Sequence, residues 1–345
     1  MESILQSEIL EQPVAVRELL DQETERVKEI TASIKGKFKY VVIAARGTSD
    51  NAARYAQYLL GSHNQCQVAL ATPSLFSIYN TPPDISDALV IGISQSGQSP
   101  DIVSVLAEAK KQGCQTIAIT NESQSPLAQQ SGFIIPLHAG RELAVAATKT
   151  YTTSLTALAM LSCALSANAE LWTELNRAPE FMQSTIIETL SVISHTERYR
   201  YMGHCNVLGR GFNYATAFEI ALKVKELTKI VAEPYSSADF RHGPIATVTQ
   251  GFPVILVAPR GLISEDLIDL YQQLRTLQAE MLVISDDQEL LDKAQFPLKL
   301  PANIPEWITP LAAIIPGQLF ALNLAIARGM NPDQPVGLTK VTETL

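Results

Sequence analysis

The densest chemistry in the chain lies at the end of an apolar run, in Ser94-Gln95-Ser96-Gly97-Gln98-Ser99. Ala88 to Ile93 precede it without polar alternation, which predicts a strand buried on both faces. Pro100 and Asp101 follow, then an amphipathic stretch from Ile102 to Lys111. Proline suits a first helical turn, and an early acid suits the helix dipole. The strand therefore delivers hydroxyls and free backbone N–H groups to a helix N-terminus. That arrangement holds an anion, and a phosphate monoester fits it. The turn lacks the lysine of a nucleotide-binding P-loop, so the expected ligand is a small phosphorylated metabolite rather than a triphosphate.

Other segments carry two readings each. Arg46-Gly47-Thr48-Ser49-Asp50-Asn51 ends an earlier strand pattern, and Thr48 and Ser49 there either cap the next helix or contact a ligand. The stretch Glu142-Leu143-Ala144-Val145-Ala146-Ala147-Thr148-Lys149 is rich in small residues, suited to close backbone approach or to tight helix packing. Glu219, Lys223 and Glu226 fall at i, i+4 and i+7 on one helix face. A solvated ladder of ion pairs is one reading. Because the surrounding positions are apolar, a stripe facing a cleft is the other, with a carboxylate general base beside a lysine. His242 is followed by Gly243-Pro244, which fixes a rigid loop suited to proton transfer or to structure alone. The tail from Asn331 to Leu345 carries a lysine, Lys340, near its end and is expected either to be loose or to fold over a site as a lid.

These residues need elements to position them. Strand patterns fall at 40–45, 67–71, 88–94, 116–120 and 133–137, with helical patterns at 50–61, 100–112 and 146–167. A second series has strands at 206–209, 254–258 and 281–285 and helices at 213–229, 263–277 and 308–328. The alternation predicts parallel sheets covered by helices on both faces. The two series are copies. Val42 to Gly47 recurs as Asn206 to Gly211 and Ala88 to Gly97 as Phe252 to Gly261, both 164 positions on (47 to 211, 97 to 261). In the second copy Ser94, Gln95 and Ser96 are replaced by Ala258, Pro259 and Arg260, so one lobe keeps the anion chemistry. The expected division is an N-terminal helical region at 1–35, with Pro13 near a break, a first domain at 36–168 and a helical connector at 169–197. A second domain at 198–330 and the tail at 331–345 complete it.

The chain has 345 residues, 46% of them hydrophobic and 18% charged, an ordinary globular balance. A net charge of −9 argues against nucleic acid and anionic membrane surfaces as partners. No uninterrupted apolar run approaches the length of a membrane span, and the start, Met1-Glu2-Ser3-Ile4-Leu5, does not read as a signal peptide, so a cytoplasmic enzyme is expected. Cys66, Cys114, Cys163 and Cys205 read as reduced thiols, and the histidine spacing offers no metal site.

In combination, Gly47-Thr48-Ser49, Ser94-Gln95-Ser96-Gly97, Val145-Ala146-Ala147-Thr148-Lys149, Lys223-Val224-Lys225-Glu226, Arg241-His242-Gly243-Pro244 and Asp333-Gln334-Pro335 with Lys340 resemble the sugar isomerase (SIS) family, in its branch with two SIS domains. The chain is similar to the isomerase half of glutamine–fructose-6-phosphate aminotransferases, and still more to stand-alone SIS-type glucosamine-6-phosphate deaminases. The resemblance implies two doubly wound, flavodoxin-like parallel-sheet domains in tandem and no cofactor. It implies that Ser49, Ser94, Gln95, Ser96 and Ser99 hold a sugar phosphate, with Thr48, Val145 and Thr339 touching the sugar. Glu226 would shuttle a proton between C1 and C2, supported by Lys223. His242 would assist ring opening from a neighbouring subunit, and Lys340 would sit at the sugar carbonyl, where the aminotransferases form a Schiff base. A homodimer with sites at the subunit interface follows. Gln98, Ala147 and Val336 depart from the aminotransferase pattern, and the start at Met1-Glu2 lacks its glutaminase region, so glutamine is not the expected nitrogen source. The expected reaction is glucosamine 6-phosphate plus water to fructose 6-phosphate plus ammonia. The alternatives are an aminotransferase module served by a separate glutaminase, a deglycase on another phosphorylated amino sugar, and a sugar-phosphate-binding regulator.

Overall fold

The computed structural model describes residues 3–166 and 168–340. The chain forms two compact units. Of the described residues, one comprises 14–142, 149–166, 168–176 and 339–340, and the other 3–13, 143–148 and 177–338.

The first unit holds a five-stranded parallel sheet in the order β2-β1-β3-β4-β5, with β1 Tyr40–Ala44, β2 Val68–Leu70, β3 Ala88–Ile93, β4 Gln115–Thr120 and β5 Phe133–Pro136. Where the sequence suggests helix over 3–35, the chain forms two, broken at Glu11 just before Pro13: α1, Ile4–Leu10, and α2, Gln12–Ile34. Sheet-covering helices follow: α3 Thr48–Asn64, α4 Ser74–Ser77, α5 Pro100–Lys111, α6 Pro126–Gln130, α7 Lys149–Ser166 and α8 Ala169–Leu175. β3, the central strand, is buried at all six positions, as its unbroken apolar run requires. Val90, Ile102, Leu106 and Leu127 share one core cluster on its face.

The second unit repeats the plan. Its sheet, β6 His204–Gly209, β7 Val231–Ser236, β8 Pro253–Val257, β9 Glu280–Ser285 and β10 Phe296–Lys299, is parallel throughout in the order β7-β6-β8-β9-β10. That is the order of the first sheet, strand for strand, and it is the flavodoxin-like order. Its helices are α9 Ala178–Val192, α10 Tyr214–Thr228, α11 Ser237–Arg241, α12 Ser264–Thr276, α13 Gln288–Asp292 and α14 Thr309–Ala327. The helical stretch after α7 thus breaks between α8 and α9, and α9 buries Phe181, Met182 and Ile186 in the second unit.

Helix α14 is the most apolar of the helices. Glu306–Ala327 is long and apolar enough by length and composition to cross a bilayer, with 83% of its apolar window buried within the protein. Prolines and amides such as Gln318 interrupt the run in sequence, and the helix is apolar on nearly every side because nearly every side is covered. Gly317 permits its close approach to α10, since a Cβ there would stand 2.3 Å from Ile220. All four cysteines are free. Burial pushes the Cys163 and Cys205 thiols up to about 12, which disfavours the thiolate at both.

Candidate active site

In the first unit the serine-rich turn leaves the carboxyl end of β3, the end of an open parallel sheet where ligands sit. Ser94 is buried, and its Oγ accepts the Gly97 N–H at 3.1 Å. Gly97 has φ +62°, and a Cβ on it would stand 2.0 Å from Ser125 Oγ, so only glycine fits. The Ser96 Oγ accepts the Gln98 N–H at 3.3 Å, and the Gln95 carbonyl accepts from Asn121 N at 3.1 Å. Ser99 occupies the N-cap position of α5, yet its side chain makes no cap bond. Capping therefore does not account for its hydroxyl. Thr48 and Ser49 open α3, whose N-cap is Gly47, again without a side-chain cap. The two turns are tied together by a pair that sequence reasoning did not assign: Arg46 Nε lies 2.7 Å from Oδ2 of Asp101, a fully buried carboxylate. The pair links the end of β1 to the start of α5, beside the serine-rich turn.

Lys340 belongs to the same unit. Its Nζ donates to Glu142 Oε2 at 2.8 Å. The exposed Thr339 precedes it, and residues 341–345 lie outside the described residues.

The second unit carries the charged stripe, and the structure makes it a buried cluster rather than a solvated ladder. Lys223 is 1% exposed and lies between Glu219, fully buried at 3.3 Å, and Glu226 Oε2 at 2.5 Å. Burial depresses the lysine, but the two carboxylates outweigh it and hold the ammonium well above its ordinary value. Lys223 is thus a fixed charge. Glu226 is partly exposed and faces a cleft of ≈ 240 Å³ lined with Lys229, Met330, Asn331, Gln334 and Val336.

The tail that lines this cleft is held in place. Asp333 accepts from Ser3 Oγ at 2.6 Å, Leu5 N at 2.8 Å and Ile4 N at 3.1 Å, at the start of α1. Burial alone would raise this carboxyl, but those hydrogen bonds hold it below the usual carboxylate range. At the other end of α1, the buried Glu8 accepts from the backbone of Leu143 and of Ala144, next to Val145. Glu8 was not singled out by the sequence, because a lone acid in an amphipathic helix reads as solvent-facing.

His242 stands apart from Glu226 within the chain. Glu226 lies near the C-terminus of α10, which leads into the amino end of β7. His242 follows α11 at the carboxyl end of β7, exposed, and its neighbour Arg241 is pinned to Asp266 in the first turn of α12 at 2.9 Å. Six residues of strand separate those ends, roughly 20 Å.

Against known proteins, the SIS domain model matches residues 37–164 and again 202–328. A glutamine–fructose-6-phosphate aminotransferase (isomerizing) of Aquifex aeolicus is 34% identical over 96% of this chain, which spans only 56% of that relative's length. A solved structure from Silicibacter pomeroyi DSS-3, named as a candidate phosphosugar isomerase, is 32% identical with TM-score 0.86, covering 96% of this chain and 100% of its own. A glucosamine-6-phosphate deaminase of Thermotoga maritima shares the fold, with TM-score 0.79 at 22% identity over 99% of this chain and 100% of its own. With the domain matched twice and two sheets of the same strand order, the chain belongs to the SIS domain family.

Proposed function

We propose that this chain isomerises a phosphorylated amino sugar and releases its nitrogen, converting glucosamine 6-phosphate and water to fructose 6-phosphate and ammonia. The observation that carries the reading is the Glu219–Lys223–Glu226 cluster, with Glu226 opening on a cleft. A binding module has no use for a partly exposed carboxylate set against a buried ammonium, whereas proton transfer does.

In this reading Ser49, Ser94, Gln95, Ser96 and Ser99 hold the phosphate, with Thr48, Val145 and Thr339 near the sugar. His242 assists ring opening. Glu226 takes the proton from C2 of the open-chain aldose and returns it at C1, while the C2 ammonium gives a proton to O1, leaving an iminium carbon at C2. Lys340 attacks that carbon and displaces ammonia as the lysine imine forms. Water then releases the ketose and restores the ammonium. Lys223 keeps Glu226 in place and balances its charge.

Because His242 and Glu226 lie at opposite ends of β7, a site that uses both takes His242 from a second copy, so a homodimer belongs to the proposal. Exposed apolar side chains at the amino end of that sheet, Tyr201, Val231 and Ile326, together with Val336 of the cleft, suit such a contact. A cytoplasmic location goes with this chemistry.

The Aquifex aeolicus relative favours a second reading, an isomerase module whose ammonia comes from glutamine hydrolysed elsewhere. Nitrogen source separates the two. Purified chain given glucosamine 6-phosphate without glutamine is expected to release ammonia, and Glu226→Gln to abolish release while still binding fructose 6-phosphate. No release from the wild type, with fructose 6-phosphate bound, favours the glutamine-dependent reading. Undiminished release from Glu226→Gln removes Glu226 from its role.

A further inference from the structure

We propose that Glu142 positions the Lys340 amine and takes up its proton, so that Lys340 meets the sugar as a neutral nucleophile. The inference rests on the reading of Lys340 as the imine-forming lysine. An ammonium has no lone pair, so its proton must first pass to a group within hydrogen-bond reach. Glu142 Oε2 is such a group, 2.8 Å from Nζ. The Glu142 side chain is fully buried while that of Lys340 is 24% exposed, so the acceptor is enclosed and the amine is accessible.

The carboxylate is also fixed before the lysine meets it. Its Oε1 accepts the Thr150 N–H at 3.0 Å and its Oε2 the Thr150 hydroxyl at 2.8 Å, at the start of α7. The N-terminus of an 18-residue helix favours that negative charge. Lys149, the next lysine along the chain, has its Nζ bonded to the Arg141 carbonyl at 2.9 Å. The contrast with Lys223 is instructive. Two carboxylates lock that buried ammonium in its charged form, whereas Lys340, paired with Glu142, is 24% exposed.

With fructose 6-phosphate, one proton moves from the Nζ ammonium to Glu142, the amine nitrogen bonds C2, and the C2 oxygen leaves as water with the two hydrogens that remained on that nitrogen. Glu142 then returns its proton to the imine nitrogen.

The test is trapping. The full chain is incubated with fructose 6-phosphate and cyanoborohydride, and the reduced sugar adduct is located by peptide mass. The wild type is expected to carry it on Lys340. Glu142→Gln keeps an acceptor for the Thr150 N–H but removes the charge. It should trap roughly 10²-fold more slowly while the folded chain still binds fructose 6-phosphate. Glu142→Asp keeps the charge one methylene further back and should fall between, and it decides the matter if Glu142→Gln does not fold. Trapping at the wild-type rate in these variants overturns the role of Glu142 and leaves that of Lys340 standing. No adduct on Lys340 in the wild type, with turnover still dependent on Glu226, overturns both.

Discussion

The carboxyl ends of the two sheets are related by duplication but hold different things. In the first unit Arg46 and Asp101 staple the end of β1 to the start of α5, and the turn so fixed carries serines. In the second, Arg210, 164 positions on, bonds Asp266 at the start of α12 at 2.6 Å, the same staple in the same place. There, however, Asp266 also accepts from Ser237 and from Arg241, the residue before His242. The staple is scaffold, and what differs is what it carries, a serine-rich turn on one sheet and the loop of His242 on the other. A duplicated fold thus yields two tools because the bonds that shape the turn are separate from the residues that line it.

The largest expected effect breaks the division of labour itself. Glu226→Gln and His242→Asn should each lose about 10²–10⁴-fold in turnover when pure. If each site takes Glu226 from one chain and His242 from its partner, mixing the two dead variants after subunit exchange should restore roughly a quarter of wild-type activity, since a two-fold heterodimer then holds one intact site. No recovery on mixing, with exchange shown by mass, means that both residues serve from one chain. Next in size is the glycine of each turn. Gly97→Ala meets both a left-handed φ and the Ser125 side chain, and should cost about 2–4 kcal/mol in denaturant melts and weaken inorganic phosphate binding. The equivalent Gly261→Ala meets only the far end of Glu306, which swings away at the loss of its bond to Leu262 N, about 1 kcal/mol. Equal losses at the two glycines would erase the distinction.

The repeat was legible because it is written in buried strands, where apolar runs leave little latitude. β7 and β10 escaped for the opposite reason. Both are edge strands with a proline each, Pro234 and Pro297, and β10 alternates buried with exposed, so neither presents an apolar run. The hydroxyl turn and the Glu219–Lys223–Glu226 stripe could be read because each is contiguous or sits on one helix face. Pairs that close over long stretches of chain could not be read. Arg46 with Asp101 spans 55 positions and Glu142 with Lys340 spans 198, and Asp333 reaches from one end of the chain to the other. For Arg46 a signal existed, the arginine before the glycine in both copies, but it carries meaning only once β1 and β3 are known to be neighbours.

The staples themselves give a smaller contrast. Asp101 is fully buried, and beyond Arg46 its carboxylate has the Ile102 N–H at 2.9 Å. Because Arg46 is half exposed, Arg46→Ala should cost about 1–2 kcal/mol, below the range for breaking a fully buried pair. Asp266 keeps Arg241 and Ser237 when Arg210 is lost, so Arg210→Ala should cost about 0–1 kcal/mol in the same melts.

Acid probes the second staple without mutation. Burial tends to raise the Asp266 carboxyl, but Ser237, Arg210 and Arg241 together hold it below the ordinary carboxylate value. A carboxyl whose proton affinity is lower folded than unfolded contributes stability above its unfolded value and loses it as pH falls through the folded one. The α11 loop should therefore loosen only below the usual carboxylate range, and first in Arg210→Ala, where one of the groups holding the carboxyl down is gone. Amide exchange at residues 241–248 across pH 3–6 reads this directly. Protection lost at the same pH in wild type and Arg210→Ala would show that the second staple does not hold the histidine loop, and that the likeness to Arg46 and Asp101 ends at geometry.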